Sequence, residues 1–303
     1  MDAADGARLA LEQAGGKAAD LEVRAEYLDD ARDRDWDPEA VGENARKATQ
    51  DSSAAAYIGE LDSQPTRASL PITNNAGVVQ VSPGAGGVDL TRPAEGYADS
   101  PDRYRPSGEP TFARVVPDDA AQASAAAELA SELGAKSVAA SADTTAYGEL
   151  TASEFEAAAG DAGVEVVGAE GRADAVFTPG EDGAMRLEGP GNHLIAAPLD
   201  PANLAGREFA AQFEQRFGRA PGPYAAYGFD AMGLVLAAIA QAADADDDFR
   251  GRVVDAVLDA ERPDSILGRY SITEDGDTTL CAIQPYTVEG DRQVAGKPIC
   301  PSG

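Results

Sequence analysis

The chemistry open to this chain is limited by a single histidine, His193, which stands in the apolar run His193–Ala197. Without a second histidine or a usable cysteine pair, no standard zinc site can be built. A serine-hydrolase triad would also have to use this one histidine. No acid–base pair beside a nucleophile or a metal can be assembled. We therefore expect no enzyme activity, no metal and no cofactor, and we interpret His193 as a structural or edge-strand histidine.

A glycine-rich segment, Gly84–Gly87, follows the predicted strand Val78–Val81. Dinucleotide-binding loops have a similar composition, but they have the spacing GxGxxG and lead directly into a helix. Here Pro83 precedes the glycines, that spacing is not met, and the chain contains no GK[ST] motif. The segment is therefore not predicted to bind a nucleotide.

An acidic run, Asp29–Asp37, invites a calcium interpretation because Asp33, Asp35 and Asp37 have alternate spacing. Two arginines interrupt the run, however, and the glycine and the closing glutamate of a twelve-residue calcium loop are both missing. The pattern favours a solvated loop that ends in Asp37 as the N-cap of a helix over Pro38–Gln50.

The two cysteines, Cys281 and Cys300, flank a segment that predicts a β-hairpin with a turn at Gly290-Asp291. Glycine in the first position suits a type II′ turn. Each cysteine lies the same number of residues from the turn, so the two would face each other at a Cα separation of about 4.5–5.5 Å. That is within disulfide reach. We predict a disulfide, which would imply an oxidising compartment; two free buried thiols are the alternative.

The charge balance excludes some partners. There are 53 acidic and 24 basic residues, which give a formal net charge of −29. Such a surface repels phosphate, so we expect no nucleic-acid partner and no anionic lipid partner. No run approaches the ~20 apolar residues of a membrane helix; the longest lies near Ala231–Ala243. The start of the chain has no basic region followed by an apolar one, so we expect any export signal to lie outside it.

These residues must be positioned by an alternation of helices and strands, which we predict in two series. Hydrophobic periodicity in the first series predicts helices over Ala4–Gln13, Pro38–Gln50 and Ser63–Asn75, and strands over Leu21–Leu28, Ala54–Ile58 and Val78–Val81. The second series predicts strands over Phe112–Val116, Val138–Ser141, Val164–Val167, Ala173–Phe177 and His193–Ala197, and helices over Asp119–Leu133, Thr151–Ala162, Ala205–Phe217, Tyr224–Ala243 and Phe249–Ala260. The rhythm of the first series is typical of a mostly parallel sheet, whose ligands bind beyond the carboxyl ends of the strands.

Five blocks, in the right order, resemble the leucine/isoleucine/valine-binding proteins of the type I periplasmic-binding-protein family. They are Asp5–Gly16, Ile58–Thr91, Glu132–Glu149, Phe217–Ala231 and Ile266–Asp277. The resemblance implies an α/β fold with two Rossmann-like lobes joined by three crossings. It places the N-terminal lobe at residues 1–114 plus 226–265. The C-terminal lobe, which ends in a β-hairpin, is expected at 115–225 plus 266–303.

The resemblance also implies where a ligand would bind. Ser63 falls on the ligand-facing serine of the first lobe, although a helix N-cap is the alternative role for this residue. Gly84, Ala85 and Gly86 fall on the loop that grips the α-amino and α-carboxylate groups of an amino acid. Backbone N–H groups beside helix N-termini suit a carboxylate.

Two further ligand contacts are expected in the second lobe. Tyr147 falls on an aromatic residue of a second-lobe loop, with a role as a hinge-wall aromatic as the alternative. Glu181, in the loop after the predicted strand Ala173–Phe177, is the expected partner of a ligand ammonium group.

Three features depart from the family pattern. The family's first strand of lobe 1 is missing, and we expect it to lie upstream together with a signal peptide. Lobe 2 is shortened, because Gly180–Asn192 stands in place of at least one helix–strand unit. Gly86 stands where a hydroxyl residue is common in the family.

The resemblance implies an extracytoplasmic solute-binding protein of an ABC importer that binds a small polar ligand, a branched-chain or related amino acid, in the inter-lobe cleft. Its partners would be that small molecule and an ABC permease. It would lie in the periplasm or at the cell surface, reaching a membrane only through the permease or a removed lipid anchor. The alternative is a ligand-sensing or degenerate non-transport receptor of the same fold.

Overall fold

The computed structural model describes residues 2–32, 35–142, 144–168, 172–180, 184–244 and 248–301. Its helices are α1 (Asp2–Gln13), α2 (Pro38–Gln50), α3 (Ser63–Asn75), α4 (Asp119–Glu132), α5 (Ala146–Asp161), α6 (Phe209–Phe217), α7 (Ala225–Ala242) and α8 (Phe249–Leu258). Its strands are β1 (Lys17–Ala18), β2 (Leu21–Glu22), β3 (Ala31–Arg32), β4 (Asp35–Trp36), β5 (Ala56–Ile58), β6 (Val79–Ser82), β7 (Phe112–Arg114), β8 (Ser137–Ala140), β9 (Glu165–Val167), β10 (Ala175–Thr178), β11 (Ala184–Gly189), β12 (Gly191–Ala196), β13 (Glu261–Arg262), β14 (Tyr270–Ser271), β15 (Gln284–Glu289) and β16 (Arg292–Ala295).

The chain forms two compact units. The first unit contains residues 1–92, 99–116 and 204–280. The second unit contains residues 93–98, 117–203 and 281–303.

The first unit takes in two stretches, 204–225 and 266–280, that the resemblance placed in the second lobe. Within the first stretch, Arg216 of α6 donates to both carboxylate oxygens of Glu12 in α1, at 2.6 and 2.8 Å. In the second stretch, the carbonyl oxygen of Gly276 accepts from the backbone N–H of Arg114 in β7, at 3.0 Å. These contacts join residues far apart in the chain, so local periodicity does not encode them.

A three-stranded parallel sheet, in the order β5-β6-β7, forms the centre of the first unit. The predicted parallel arrangement is therefore confirmed here, and the carboxyl ends of these strands meet at one edge. The apolar core beside the sheet includes Leu70, Ala85, Leu90, Tyr104 and Phe112.

The predicted strand over Leu21–Leu28 is largely wrong. Only Leu21–Glu22 forms a ladder, and its partner is Lys17–Ala18 in a short antiparallel pair. Residues 23–28 lie outside the strands, and Tyr27 and Leu28 keep 38% and 36% of their surface exposed. An alternating hydrophobic pattern indicates which side chains favour burial. A strand also needs a neighbouring strand with which its backbone can form hydrogen bonds.

Helices α1 and α7 of the first unit pack with their backbones in close approach. A Cβ added at Gly6 would lie 1.8 Å from the carbonyl oxygen of Ala225, and one added at Gly228 would lie 2.0 Å from that of Ala3. Helix α7 is the one helix in the described residues that is long and apolar enough to cross a membrane, but 72% of it is buried inside the protein. It is the core helix of this unit.

The second unit contains a seven-stranded sheet in the order β16-β15-β12-β11-β10-β8-β9. Strands β9, β8 and β10 are parallel, whereas the remaining pairs are antiparallel. The sheet of this unit is therefore mixed, in contrast to the parallel sheet of the first unit. Strand β11 is one reason, because its residues, Ala184–Gly189, belong to the segment that was predicted to lack a helix–strand unit.

The only histidine, His193, lies in β12, inside this sheet and not at its edge. It is 9% exposed, and its Nε2 has no hydrogen-bond partner among the described residues.

The predicted C-terminal hairpin is confirmed. Glu289 pairs with Arg292 and Tyr286 pairs with Ala295, which is the register set by a two-residue turn at Gly290. Gly290 has a φ of +61°, and the following residue does not have a positive φ, as a type II′ turn requires.

The predicted disulfide between Cys281 and Cys300 is also present, with a Cα–Cα distance of 4.8 Å. Between the hairpin and the disulfide, Ile283 pairs with Ile299, one residue out of the hairpin register. A local bulge therefore absorbs this irregularity, and the cysteines still face each other.

Candidate functional site

Two loops of the first unit lie side by side, because β5 and β6 pair in parallel and both loops leave the same edge of the sheet. Ser82, the last residue of β6, connects them. Its hydroxyl donates to the carbonyl oxygen of Glu60 at 2.6 Å. The hydroxyl oxygen of Ser82 in turn accepts from the N–H groups of Gly84 at 3.2 Å and Ala85 at 2.8 Å. This buried hydroxyl holds the start of the glycine-rich loop against the loop after β5.

Ser63 makes a second connection between the two loops. It is the first residue of α3, and Asp62 holds the N-cap position without a capping hydrogen bond from its side chain. The Ser63 hydroxyl accepts from the N–H of Gly87 at 2.8 Å. The alternative prediction that Ser63 caps its own helix is therefore wrong, since its oxygen serves the neighbouring loop.

Several backbone N–H groups at this junction have no acceptor in the part of the chain that the structure describes. They include those of Ser63, Gln64 and Gly86. The first two lie in the first turn of α3, where the helix dipole places partial positive charge. Exposed N–H groups at a helix N-terminus form a ready binding place for a carboxylate or another anion.

The glycine-rich loop also requires glycine at its first position. A Cβ added at Gly84 would lie 2.5 Å from the carbonyl oxygen of Leu61 and 3.0 Å from the ring of Tyr224. The loop therefore packs closely against the backbone of Leu61 at this position. Beside that contact lies the ring of Tyr224, an aromatic residue that sequence reasoning did not single out.

Two arginines, of which Arg114 is fully buried, hold the far side of the loop. Arg67 donates to both carboxylate oxygens of Asp89, at 2.8 and 2.6 Å, and the hydroxyl of Tyr104 donates to the same carboxylate at 2.6 Å. Arg114 donates to two carbonyl groups of the loop. Bidentate and charge-assisted hydrogen bonds of this kind are among the strongest in proteins, so we expect this loop conformation to exist before any ligand binds.

The site carries one strongly perturbed acid, Glu60. Only 6% of its surface is exposed, and it accepts a hydrogen bond from the Tyr57 hydroxyl at 2.5 Å. Burial, together with the nearby Asp30 carboxylate, raises the pKa of this carboxyl to about 7, against the lowering effect of the Tyr57 hydrogen bond. Burial likewise raises the pKa of Asp62. No group of three or more metal-ligating side chains occurs among the residues described here.

The second unit positions Tyr147 in the first turn of α5. Thr145 is the N-cap, and its hydroxyl accepts from the N–H of Gly148 at 3.0 Å. The prediction that this helix starts at Thr151 is therefore wrong, because a threonine cap starts it earlier. The other second-lobe residue predicted to bind ligand, Glu181, lies outside the described residues.

Comparison with known protein families identifies the family of the chain. The model of the periplasmic binding protein family matches residues 1–174, which is more than half of the chain. The chain belongs to the periplasmic binding protein family. No curated protein sequence matches it significantly.

Solved structures place this binding protein in the type I fold. The branched-chain amino-acid binding protein LivJ of Streptococcus pneumoniae, in complex with isoleucine, has a TM-score of 0.75 at 17% identity, covering 99% of this chain and 94% of that one. A substrate-binding protein of Desulfitobacterium hafniense, in complex with Leu, has a TM-score of 0.73 at 17% identity, covering 97% and 95%. A solute-binding protein of R. palustris, in complex with benzoate, has a TM-score of 0.71 at 17% identity, covering 99% and 91%.

Three residues of the binding protein's site were missed by sequence reasoning: Glu60, Arg114 and Tyr224. Arg114 did leave a signal, since a cation inside the apolar run Phe112–Val116 must find acceptors when it is buried. Glu60 and Tyr224 left none, because only the folded backbone brings them to the loops.

Proposed function

We propose that this protein is an extracytoplasmic solute-binding protein of an ABC importer. Its ligand is a small carboxylate-bearing solute, a branched-chain or related amino acid. The carboxylate binds at the junction of the two loops of the first unit. Tyr147 and Glu181 are proposed as contacts to the remainder of the ligand, and an ABC permease is the proposed partner.

One observation carries the proposal: N–H groups that have no acceptor among the described residues stand together in the first turn of α3, at Ser63 and Gln64, and on the adjacent loop, at Gly86. A carboxylate that leaves water needs such donors to replace its lost hydrogen bonds. The ligands named for the three similar structures, isoleucine, Leu and benzoate, differ in shape but share a carboxylate.

Two other features bear on the proposal, the disulfide on the location and the net charge on the partners. The disulfide between Cys281 and Cys300 is of a kind that persists in oxidising compartments. The net charge of −29 favours solubility and does not favour binding to nucleic acid or to anionic membranes.

A thermal-shift series tests the proposal by varying one ligand group at a time. Leucine is compared with leucinamide, which lacks the carboxylate, with 4-methylpentanoate, which lacks the amine, and with 3-methylbutylamine; benzoate is included as an aromatic acid. A ligand at about 100 times its Kd stabilises the native state by about 2.7 kcal/mol. We expect shifts from leucine and 4-methylpentanoate. An equal shift from leucinamide would contradict the carboxylate assignment.

Single-residue variants then test which residues contact the carboxylate and the ammonium group of the ligand. Ser63→Ala removes the acceptor of Gly87 and is expected to weaken binding of every carboxylate about tenfold, the effect of losing about 1.4 kcal/mol. Ser131→Ala is the matched control, because it also removes one side-chain hydrogen bond, to Ala162, but in the second unit. Glu181→Gln is expected to weaken leucine and to leave 4-methylpentanoate unchanged. Equal losses for both ligands would remove Glu181 from the ammonium site.

A further inference from the structure

A single buried guanidinium, that of Arg114, connects the glycine-rich loop to the rest of the first unit. Arg114 ends β7 and has no exposed surface. Its Nη1 donates to the carbonyl oxygens of Ala85 at 3.1 Å and Gly87 at 2.8 Å. Its Nη2 donates to Thr91 Oγ1, and its Nε donates to Asp277 Oδ1, both at 2.7 Å. A buried guanidinium is tolerated only where its N–H groups find acceptors, so these partners are required together.

The partners of this guanidinium lie where the chain leaves the first unit. It leaves at three points, after Arg92, Val116 and Leu280. Thr91 stands immediately before the first point and Asp277 shortly before the third, while the arginine itself stands shortly before the second. One side chain therefore joins the ligand loop to all three segments by which the chain passes to the second unit.

The three segments also bond directly to one another. Thr91 Oγ1 lies 3.2 Å from Asp277 Oδ2 in a hydrogen bond, and Arg92 Nε lies 3.5 Å from the same oxygen. The backbone N–H of Arg114 donates to the carbonyl oxygen of Gly276 at 3.0 Å. The segments are thus held as one polar cluster around the Arg114–Asp277 pair, and Asp277 is the carboxylate that both arginines share.

We propose that Arg114, with Asp277 as its counter-ion, is a positioning residue for ligand binding. It fixes the glycine-rich loop and couples the order of that loop to the order of the three exit segments. The inference rests on the proposed function, because it assigns the pair a role in presenting the same loop to the ligand. Coupling of this kind is reciprocal. A change that orders the exit segments also orders the loop, and a change that orders the loop also orders the exit segments.

Hydrogen exchange of the ligand-free protein tests the positioning role without any ligand. Asp277→Asn keeps an oxygen acceptor and removes the charge, and Thr91→Val removes one acceptor at nearly constant shape. Arg262→Met is the matched control, since Arg262 pairs with Asp230 at 3.5 Å in the same unit without a contact to the loop. The exchange rates of peptides that cover residues 83–90 report on the conformational order of the loop.

The expected result is about tenfold faster exchange of peptides 83–90 in Asp277→Asn and a smaller increase in Thr91→Val, as loss of hydrogen bonding predicts. In Arg262→Met the melting temperature falls but exchange over 83–90 keeps its parental rate. The proposal is overturned when Asp277→Asn loses stability while its loop exchanges no faster than the rest of the first unit. Such a result would show general destabilisation and no positioning role.

A second measurement tests the coupling with leucine bound. In the parent protein, leucine is expected to slow exchange over residues 83–90 and over the exit segments 91–95, 112–117 and 274–281. In Asp277→Asn, the protection is expected to stay confined to 83–90, with leucine bound about tenfold more weakly. Equal protection of the exit segments in both proteins overturns the coupling. If leucine and the other carboxylates fail to bind the parent protein, the proposed function fails, while the ligand-free experiment still decides the positioning role.

Discussion

The buried carboxyl of Glu60 should give this protein a stability that falls as the pH rises toward neutrality. Its pKa is raised to about 7 in the folded protein from an ordinary value of 4.5. At about 1.36 kcal/mol per pKa unit, this difference corresponds to roughly 3 kcal/mol. Between the two pKa values the folded state holds a proton that the unfolded state has lost, so raising the pH favours unfolding.

The substitution Glu60→Gln isolates this contribution. Glutamine keeps an oxygen that can accept from Tyr57 but carries no charge at any pH. Relative to the parent protein, the variant should gain stability steadily between pH 4.5 and about 7, by up to roughly 3 kcal/mol, and gain nothing further above that range. Other titrating groups contribute equally to both proteins, so they cancel in the difference.

Urea unfolding at pH 5, 6, 7 and 8 measures that difference for the parent and the variant. Glu43→Gln is the control, because Glu43 is an exposed glutamate in α2 of the same unit. Its difference from the parent should not depend on pH. A constant difference for Glu60→Gln across the same range would refute the reasoning, since it would show that this carboxyl ionises as it does in water.

Three further predictions concern stability. Replacing Cys281 and Cys300 by serine opens a link with a sequence separation of 19 and should cost roughly 3 kcal/mol, seen as a lower urea midpoint; the parent protein under reductant should lose as much. Gly84→Ala should cost about 1–3 kcal/mol, because the added Cβ would lie 2.5 Å from a backbone oxygen. Gly160→Ala, inside α5 and with nothing within 4 Å, should instead stabilise by about 0.5–1 kcal/mol, and a cost at both positions would contradict the packing argument. His193→Leu removes a buried nitrogen that has no hydrogen-bond partner among the described residues and should raise the melting temperature, in line with a gain of about 1 kcal/mol; a lower melting temperature would contradict this expectation.

The features that could be predicted from the sequence are those that neighbouring residues encode. The N-cap of α2 is an example: Asp37 Oδ1 accepts from the N–H of Ala40 at 2.8 Å, and Pro38 occupies the first turn as expected. The hairpin register is another example, because a two-residue turn determines which residues of the two strands face each other, including the two cysteines of the disulfide.

The features that could not be predicted depend on residues that only the folded chain brings together. The segment Leu21–Leu28 has the alternation of a strand, but strand formation depends on a partner that no local pattern specifies. Strand β11 was missed because its glycine-rich surroundings suggested a loop, whereas antiparallel neighbours on both sides provide its ladder. The acceptors around Arg114 come from two loops and from Asp277, so the sequence could indicate that a partner was needed but not which one.

The tight seam between α1 and α7 has a consequence for any shortened form of this protein. With Gly6 and Gly228 in place, α1 covers a helix whose length and hydropathy would suit a lipid bilayer. A variant without residues 2–13 would bare an apolar helical stripe to water, and a stripe of that kind promotes self-association. We expect such a variant to bind an apolar dye such as ANS and to sediment as oligomers. Helix α1 therefore shields the apolar surface of α7 from association with other copies of the chain.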